Sequence, residues 1–202
     1  PNNVDASRTH LNRDLVQFPA NVTNRTEAIA HRIATAGIYR KVADNQVKAL
    51  RFILSGSHED MLQLESDGRL EEWCNSTMQW LYTTFGKANV VAATLHADEE
   101  TPHIHATVVP IVTGERRKAK QEAENGKRKY KTKKNKIRLC ADDLLTPKKL
   151  EEYQTSYAEQ MRPFGLSRGV QGSEAKHRTN MEYYKELLKE TKQKQLEEEE
   201  LI

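Results

Sequence analysis

Residues 89–112 read NVVAATLHADEETPHIHATVVPIV, and this stretch decides the fold. Asn89 to His96 and His103 to Val112 are both rich in Val and Thr, the composition of strands. Ala97 to Pro102 joins them and is short enough for a hairpin. Pro110 falls late in the second run, where a sheet edge or a bulge would tolerate it. Side chains alternate along a strand, so His103 and His105 share one face while Ile104 and Ala106 share the other. The hairpin returns His96 to the same region. Three imidazoles converging on one point suit a divalent metal. Asp98 and Glu99, on the connecting loop, are placed to orient a ligand, to hydrogen-bond to one, or to act as a base. A zinc protease helix is excluded. That chemistry takes H-E-x-x-H at helical spacing, whereas these histidines are two apart and follow Pro102.

Working outward, Lys48 to Ser55 (KALRFILS) reads as a strand ended by Gly56. Thr26 to Asp44 reads as a helix, with Thr26 as its cap and Ile29, Ile33, Ala36 and Val42 near one face. A helix is expected from Glu59 to Phe85, broken at Gly68, burying Leu62, Leu70, Trp73, Trp80 and Leu81. Downstream, Ile137 to Cys140 returns to strand. Pro147 to Met161 is a helix capped by Thr146, with Pro147 at its first position. Phe164 to Val170 is a short strand or turn, and a last helix starts near Thr179. The fold class is α/β: an antiparallel central sheet packed with helices, plus a charged C-terminal helix. The domain division is 1–178 for the functional domain and 179–202 for a helical extension.

The chain has 202 residues and a net charge of only +3, but the charge is unevenly spread. From Gly114 to Lys136 eleven Lys or Arg stand against three Glu, while Glu197 to Glu200 make the tail acidic. The basic tract 114–136 has too few apolar residues to bury, so it is expected to be a mobile insertion that contacts nucleic acid through Arg116, Arg117 and their neighbours. No apolar run is long enough to span a bilayer, and no signal-peptide pattern opens the sequence. Cys74 and Cys140 have no zinc or disulfide spacing, which makes a reducing cytoplasm the default.

Three segments together carry a family resemblance. H-x-D-E-x-x-P-H-x-H, filled by His96, Asp98, Glu99, Pro102, His103 and His105, resembles the metal motif of the Mob/Pre (MobV) plasmid mobilization relaxases. NVDASRTHLN (residues 3–12) is similar to that family's N-x-D-x-x-R-[ST]-H-L-N segment, and SEAKH (173–177) to its downstream segment. The details lie nearest to proteins of Bacteroides-type mobile elements. The resemblance implies an HUH relaxase fold and a site-specific single-strand endonuclease and strand transferase. Such an enzyme nicks a transfer origin for plasmid or transposon mobilization in conjugation. It also implies Mn²⁺ or Mg²⁺ on the three histidines, although imidazole donors by affinity favour Zn, Ni or Cu. Glu99 then matches the motif's Glu, as a fourth ligand or as a base beside the metal.

The expected partner is transfer-origin DNA, single-stranded or as a hairpin. Arg8, Thr9, His10 and Asn12 would contact phosphates and base edges, or Arg8 and Asn12 would hold the opening loop. Lys176 and His177 offer further DNA contacts, and the C-terminal helix a means of self-association. The family's nucleophile is a histidine in an H-x-x-R segment upstream of the N-x-D motif. The sequence opens at Pro1, so the 202-residue chain is expected to bind metal and DNA but to form little covalent adduct. Two alternatives stand beside this reading: a rolling-circle replication initiator of the same chemistry, and a DNA-binding module whose metal is structural.

Overall fold

The hairpin forms as its sequence dictates. In the computed structural model, which describes residues 4–114 and 136–171, strand β3 (Val90–His96) pairs antiparallel with β4 (His103–Val108), His96 opposite His103. Two further strands flank the pair: β1 (Arg13–Asp14) beside β3, and β2 (Leu50–Leu54) beside β4. The sheet order is β1-β3-β4-β2. Pro110 ends β4 rather than sitting inside it, because it has no N–H to donate to a ladder. The run resumes as β5 (Ile111–Val112), which pairs with β6 (Arg138–Leu139) in a separate two-stranded sheet. Together these bear out the mixed architecture and the antiparallel centre.

The two faces of the sheet have different neighbours. Ala93, Leu95, Ile104, Ala106, Val108 and Leu54 belong to the main apolar cluster, with Met61 and Leu64 from α2 (His58–Ser66) and Trp73, Leu81 and Phe85 from α3 (Leu70–Phe85). Met161, at the end of α4 (Pro147–Met161), completes it. The break between α2 and α3 falls at Gly68, whose φ of +67° suits the residue without a Cβ. Trp73, Trp80 and Leu81 are buried as expected. Leu62, however, is 40 % exposed, because a helix starting at His58 turns Met61 and Leu64 inward instead. Helix α4 has the expected limits and cap: Thr146 accepts a hydrogen bond from Lys149 N–H.

The opposite face is covered only in part. Helix α1 (Arg25–Thr35) contributes Ala28 to a second apolar cluster containing Val91, Val109 and Leu139, with Phe18, Ile29 and Ile33 packed against it. Here the sequence reading needs correction. Asn24, not Thr26, is the cap: its side chain accepts from Glu27 N–H, and the Glu27 carboxylate accepts from Thr23 N–H and Oγ1. This reciprocal box starts the helix earlier. The helix also ends at Thr35 rather than Asp44, where Gly37 takes a φ of +72°. Between Phe164 and Val170 the chain makes a 3-10 turn (Arg162–Phe164) and then runs without strand pairing.

By backbone proximity the chain divides between Arg168 and Gly169, and the described elements all belong to the first unit. The 178/179 boundary, the basic tract beyond Gly114, the 173–177 segment with Lys176 and His177, and the final helix fall outside the described residues, or nearly so. No helix among the described residues is long and apolar enough to cross a membrane.

Candidate metal centre

His96, His103 and His105 are brought together. Each offers a ring nitrogen within 4.8 Å of the others, and all three side chains are partly exposed. His103 and His105 come within 3.1 Å at their Nε2 atoms, and the rings of His96 and His103 stack with centroids 5.2 Å apart. This clustering follows from register: His96 lies directly across from His103, and His105 is the next residue of β4 on that face.

The loop is held so that the rings present their nitrogens to one another. His103 Nδ1–H donates to the Thr101 carbonyl at 2.8 Å, which leaves Nε2 with its lone pair. Thr101 is in turn anchored by His58, Nδ1 to Oγ1 2.8 Å, and Ser55 Oγ donates to the Pro102 carbonyl at 2.8 Å. Arg51, on β2, approaches His105 Nδ1 at 3.4 Å. Burial, and then the nearby His103, His96 and Arg51, lower the His105 pKa from the ordinary histidine value, a direction that favours the neutral ring a metal needs.

The acidic residues separate into two settings. Glu99 Oε1 lies 3.4 Å from His96 Nδ1. Its carboxylate belongs with His96 and Asp98 to a second group of possible ligands. Both of its readings, ligand or neighbouring base, fit that position. Asp98 is buried, at 5 % exposure, and Thr9 Oγ1 donates to it at 3.0 Å. A hydrogen bond from Asn12, with that of Thr9, holds its carboxyl below the usual range against the opposing effect of burial.

The opening motif runs along this loop like a clasp. Val4 bridges to Glu99, and Asp5 N–H donates to the Asp98 carbonyl at 2.7 Å. Arg8 Nε donates to the Ala97 carbonyl at 3.0 Å while its Nη2 pairs with Glu65. Asn12 Oδ1 accepts from Ala97 N–H at 2.8 Å. Arg8, Thr9 and Asn12 therefore direct side-chain groups at residues 97–98. His10 is exposed and donates to the Ser7 carbonyl. Of the expected DNA-contacting residues these four can be placed; Arg116, Arg117, Lys176 and His177 lie outside the described residues.

Sequence reading missed Arg51, Thr101 and Ser55. Arg51 had a signal, being the charged residue between two apolar ones in KALRFILS, which puts it on the face opposite Leu50 and Phe52. The role of the Thr101 carbonyl had none.

With the donors in place, the chemistry of the set can be judged. Three imidazoles at this separation, open to solvent and with a carboxylate adjoining, fit a divalent cation with room for a further oxygen ligand.

Known proteins are similar to this chain in sequence and in fold. A family model described as plasmid recombination enzyme (Mob_Pre) matches residues 1–185. A 65 kDa protein of Zymomonas mobilis is 31 % identical over 185 residues, 90 % of this chain and 27 % of that protein. A plasmid recombination enzyme type 3 of Staphylococcus aureus is 32 % identical over 125 residues, 61 % of this chain and 30 % of the relative. The chain thus spans less than a third of either relative's length. Neither organism is a Bacteroides, so that part of the resemblance stands as an expectation. Among solved structures, the Mn-bound MobM relaxase domain in complex with plasmid pMV158 oriT DNA superposes with a TM-score of 0.68 at 22 % identity. That match covers 92 % of this chain and 85 % of the other, a likeness of fold.

Proposed function

The chain belongs to the Mob/Pre family of plasmid recombination enzymes, and on that premise we propose that it is the DNA-processing region of a relaxase that nicks one strand at a transfer origin. The observation that carries the reading is the cluster of His96, His103 and His105 on an open sheet face, with Glu99 beside it. A manganese or magnesium ion held there supplies Lewis-acid polarisation of the scissile phosphate.

The protein's own groups prepare that site. The Thr101 carbonyl fixes His103 so that Nε2 faces the cluster. Glu99 beside His96 orients that ring, or accepts the proton released when the attacking group is deprotonated. The clasp from residues 4–12 holds the 97–99 backbone, and with it the distance between Glu99 and the histidines. The partly exposed rings favour a catalytic site over a structural one, which would be sealed by four protein ligands. The substrate is origin DNA as a single strand or hairpin, and the protein acts in the cytoplasm, where such DNA is processed. Membership of the plasmid recombination family supports a transfer origin over a replication origin.

The test uses a labelled single-stranded oligonucleotide carrying the candidate origin, titrated with protein in Mn²⁺ or in EDTA. Binding is expected to tighten at least about tenfold with Mn²⁺, and the gain should vanish in the His103→Ala, His105→Ala double variant. Denaturing gels of the same mixtures follow strand cleavage, and whatever product forms is expected only where metal and the histidines are both present. Binding that ignores the metal, or a metal effect that survives in the double variant, contradicts the reading.

A further inference from the structure

Beside the histidines, on the same sheet face, lies a groove of about 270 Å³. Its floor is made of small residues, Ala92, Thr94 and Thr107. One wall carries Val16, Phe18 and the first residue of α1, Arg25; Arg51 stands on another strand, and His96 and His105 close one end. The volume is at the small end of ligand pockets, which run from ~300 Å³ upward, so it suits one nucleotide unit rather than a duplex. The two arginines give it the charge of a phosphate-binding surface, and the groove is continuous with the proposed metal site.

One group breaks this pattern. Asp14 on β1 lines the same groove, directly opposite Thr94. Thr94 Oγ1 donates to Asp14 Oδ1 at 2.7 Å, which fixes the carboxylate. Its other oxygen, Oδ2, has no hydrogen-bond partner among the described residues. A carboxylate in a cleft meant only for phosphates would repel them. A carboxylate meant for a base accepts hydrogen bonds from an exocyclic amino group. Thr94 and His96 are neighbours on one face of β3, so a base at Asp14 and a phosphate at the histidines are within reach of a single nucleotide.

We infer that the groove seats one unpaired base bearing an exocyclic amino group next to the scissile phosphate, with Asp14 as the residue that selects it. This inference rests on the proposed function and sharpens it from single-stranded DNA to a particular class of base. Phe18 offers an aromatic wall for stacking, which tolerates any base and so adds affinity without choice. Thymine has a single imide N–H and no amino group, and is the base the site disfavours. Arg25 and Arg51 take the flanking phosphates.

The experiment measures fluorescence anisotropy with a 12-residue oligothymidylate and three copies in which one central thymine is replaced by adenine, cytosine or guanine. Thymines can occupy every position outside the groove, so the substituted base is free to find it. With Mn²⁺ present, at least one amino-bearing strand is expected to bind the wild-type protein about tenfold tighter than oligothymidylate, the scale of one good base contact. Asp14→Ala should level the strands, so that within this variant the amino-bearing strands bind no tighter than oligothymidylate. Asp14→Asn, which keeps one acceptor, should restore part of the preference. Wild-type protein without preference, or a preference that persists in Asp14→Ala, overturns the inference. Repeating the titrations in EDTA separates it from the metal reading: loss of the Mn²⁺ effect alone would sink the metal site and leave the base preference measurable. Absence of any single-strand binding would end both.

Discussion

Ile104 and His105 are adjacent in the chain yet belong to different regions of the molecule. Ile104 is fully buried in the apolar cluster shared with Trp73 and Met161, while His105 is partly exposed beside His96, His103 and Arg51. The same alternation separates Leu95 from His96 and Phe52 from Arg51. The face covered by α2, α3 and α4 holds the sheet together through burial, and on the other face, covered by α1 only in part, the end that bears the histidines is relieved of that task. Polar groups can accumulate on it because water still reaches them. The clasp of residues 4–12 belongs to neither face. It uses hydrogen bonds to fix the hairpin loop where packing is thin.

This comparison can be broken by exchanging stability effects between the faces. Trp73→Ala empties a fully buried position and is expected to cost about 3–5 kcal/mol, read as a lowered urea midpoint. His103→Ala with His105→Ala should change stability by less than about 1 kcal/mol in metal-free buffer. If the histidine variant proves as destabilising as the tryptophan one, the division of labour between faces is wrong.

A smaller effect tests the clasp. Thr9→Val removes a hydrogen bond to the buried Asp98 carboxylate, and Asn12→Ala removes one to Ala97 N–H. Each is expected to weaken Mn²⁺ binding about tenfold, the range seen when groups that orient ligands are lost. Thr9→Ser should restore most of it. Unchanged affinity in both variants, measured by calorimetry, would reduce the clasp to a loop tie with no bearing on the metal.

The mildest test concerns pH. Burial pushes the Cys74 thiol from 9.0 to about 11 and the Tyr157 phenol from 10.0 to about 12, both on the helix-covered side. Groups whose folded pKa is raised favour folding below the unfolded value and lose that contribution as pH climbs toward the folded one. Urea midpoints should therefore hold steady to about pH 9 and fall between pH 9 and 12. In Cys74→Ala the fall should begin roughly one pH unit later. A midpoint that is level across this range would mean these groups are solvated.

Much of this was legible because the signals were local. The hairpin needed only two strand-like runs and a six-residue connection, and the histidine pair only the alternation of a strand. Thr146-Pro147 announced α4 directly. The start of α1 was misplaced because both Asn24 and Thr26 are capping residues; the choice was made by Glu27, three residues after Asn24, reaching back to Thr23. Leu62 was misassigned because the phase of a helix depends on where it begins. The groove could not be read at all. Its walls come from Asp14, Phe18, Arg25, Arg51 and Thr94, which only the sheet order brings together. Likewise, Arg8 and Asn12 suit DNA or the loop equally well by sequence, and only the fold brings their side chains to the backbone of Ala97.

The central claim is that the bare face of the hairpin is a metal centre built from His96, His103 and His105. Isothermal titration of Mn²⁺ into wild-type protein and into His103→Ala and His105→Ala, each checked for an unchanged urea midpoint, tests it most directly. One site per chain is expected in the wild type, with each substitution weakening it by more than about 100-fold, beyond what losing an orienting neighbour does. Equal Mn²⁺ affinity in the wild type and both folded variants would contradict the claim.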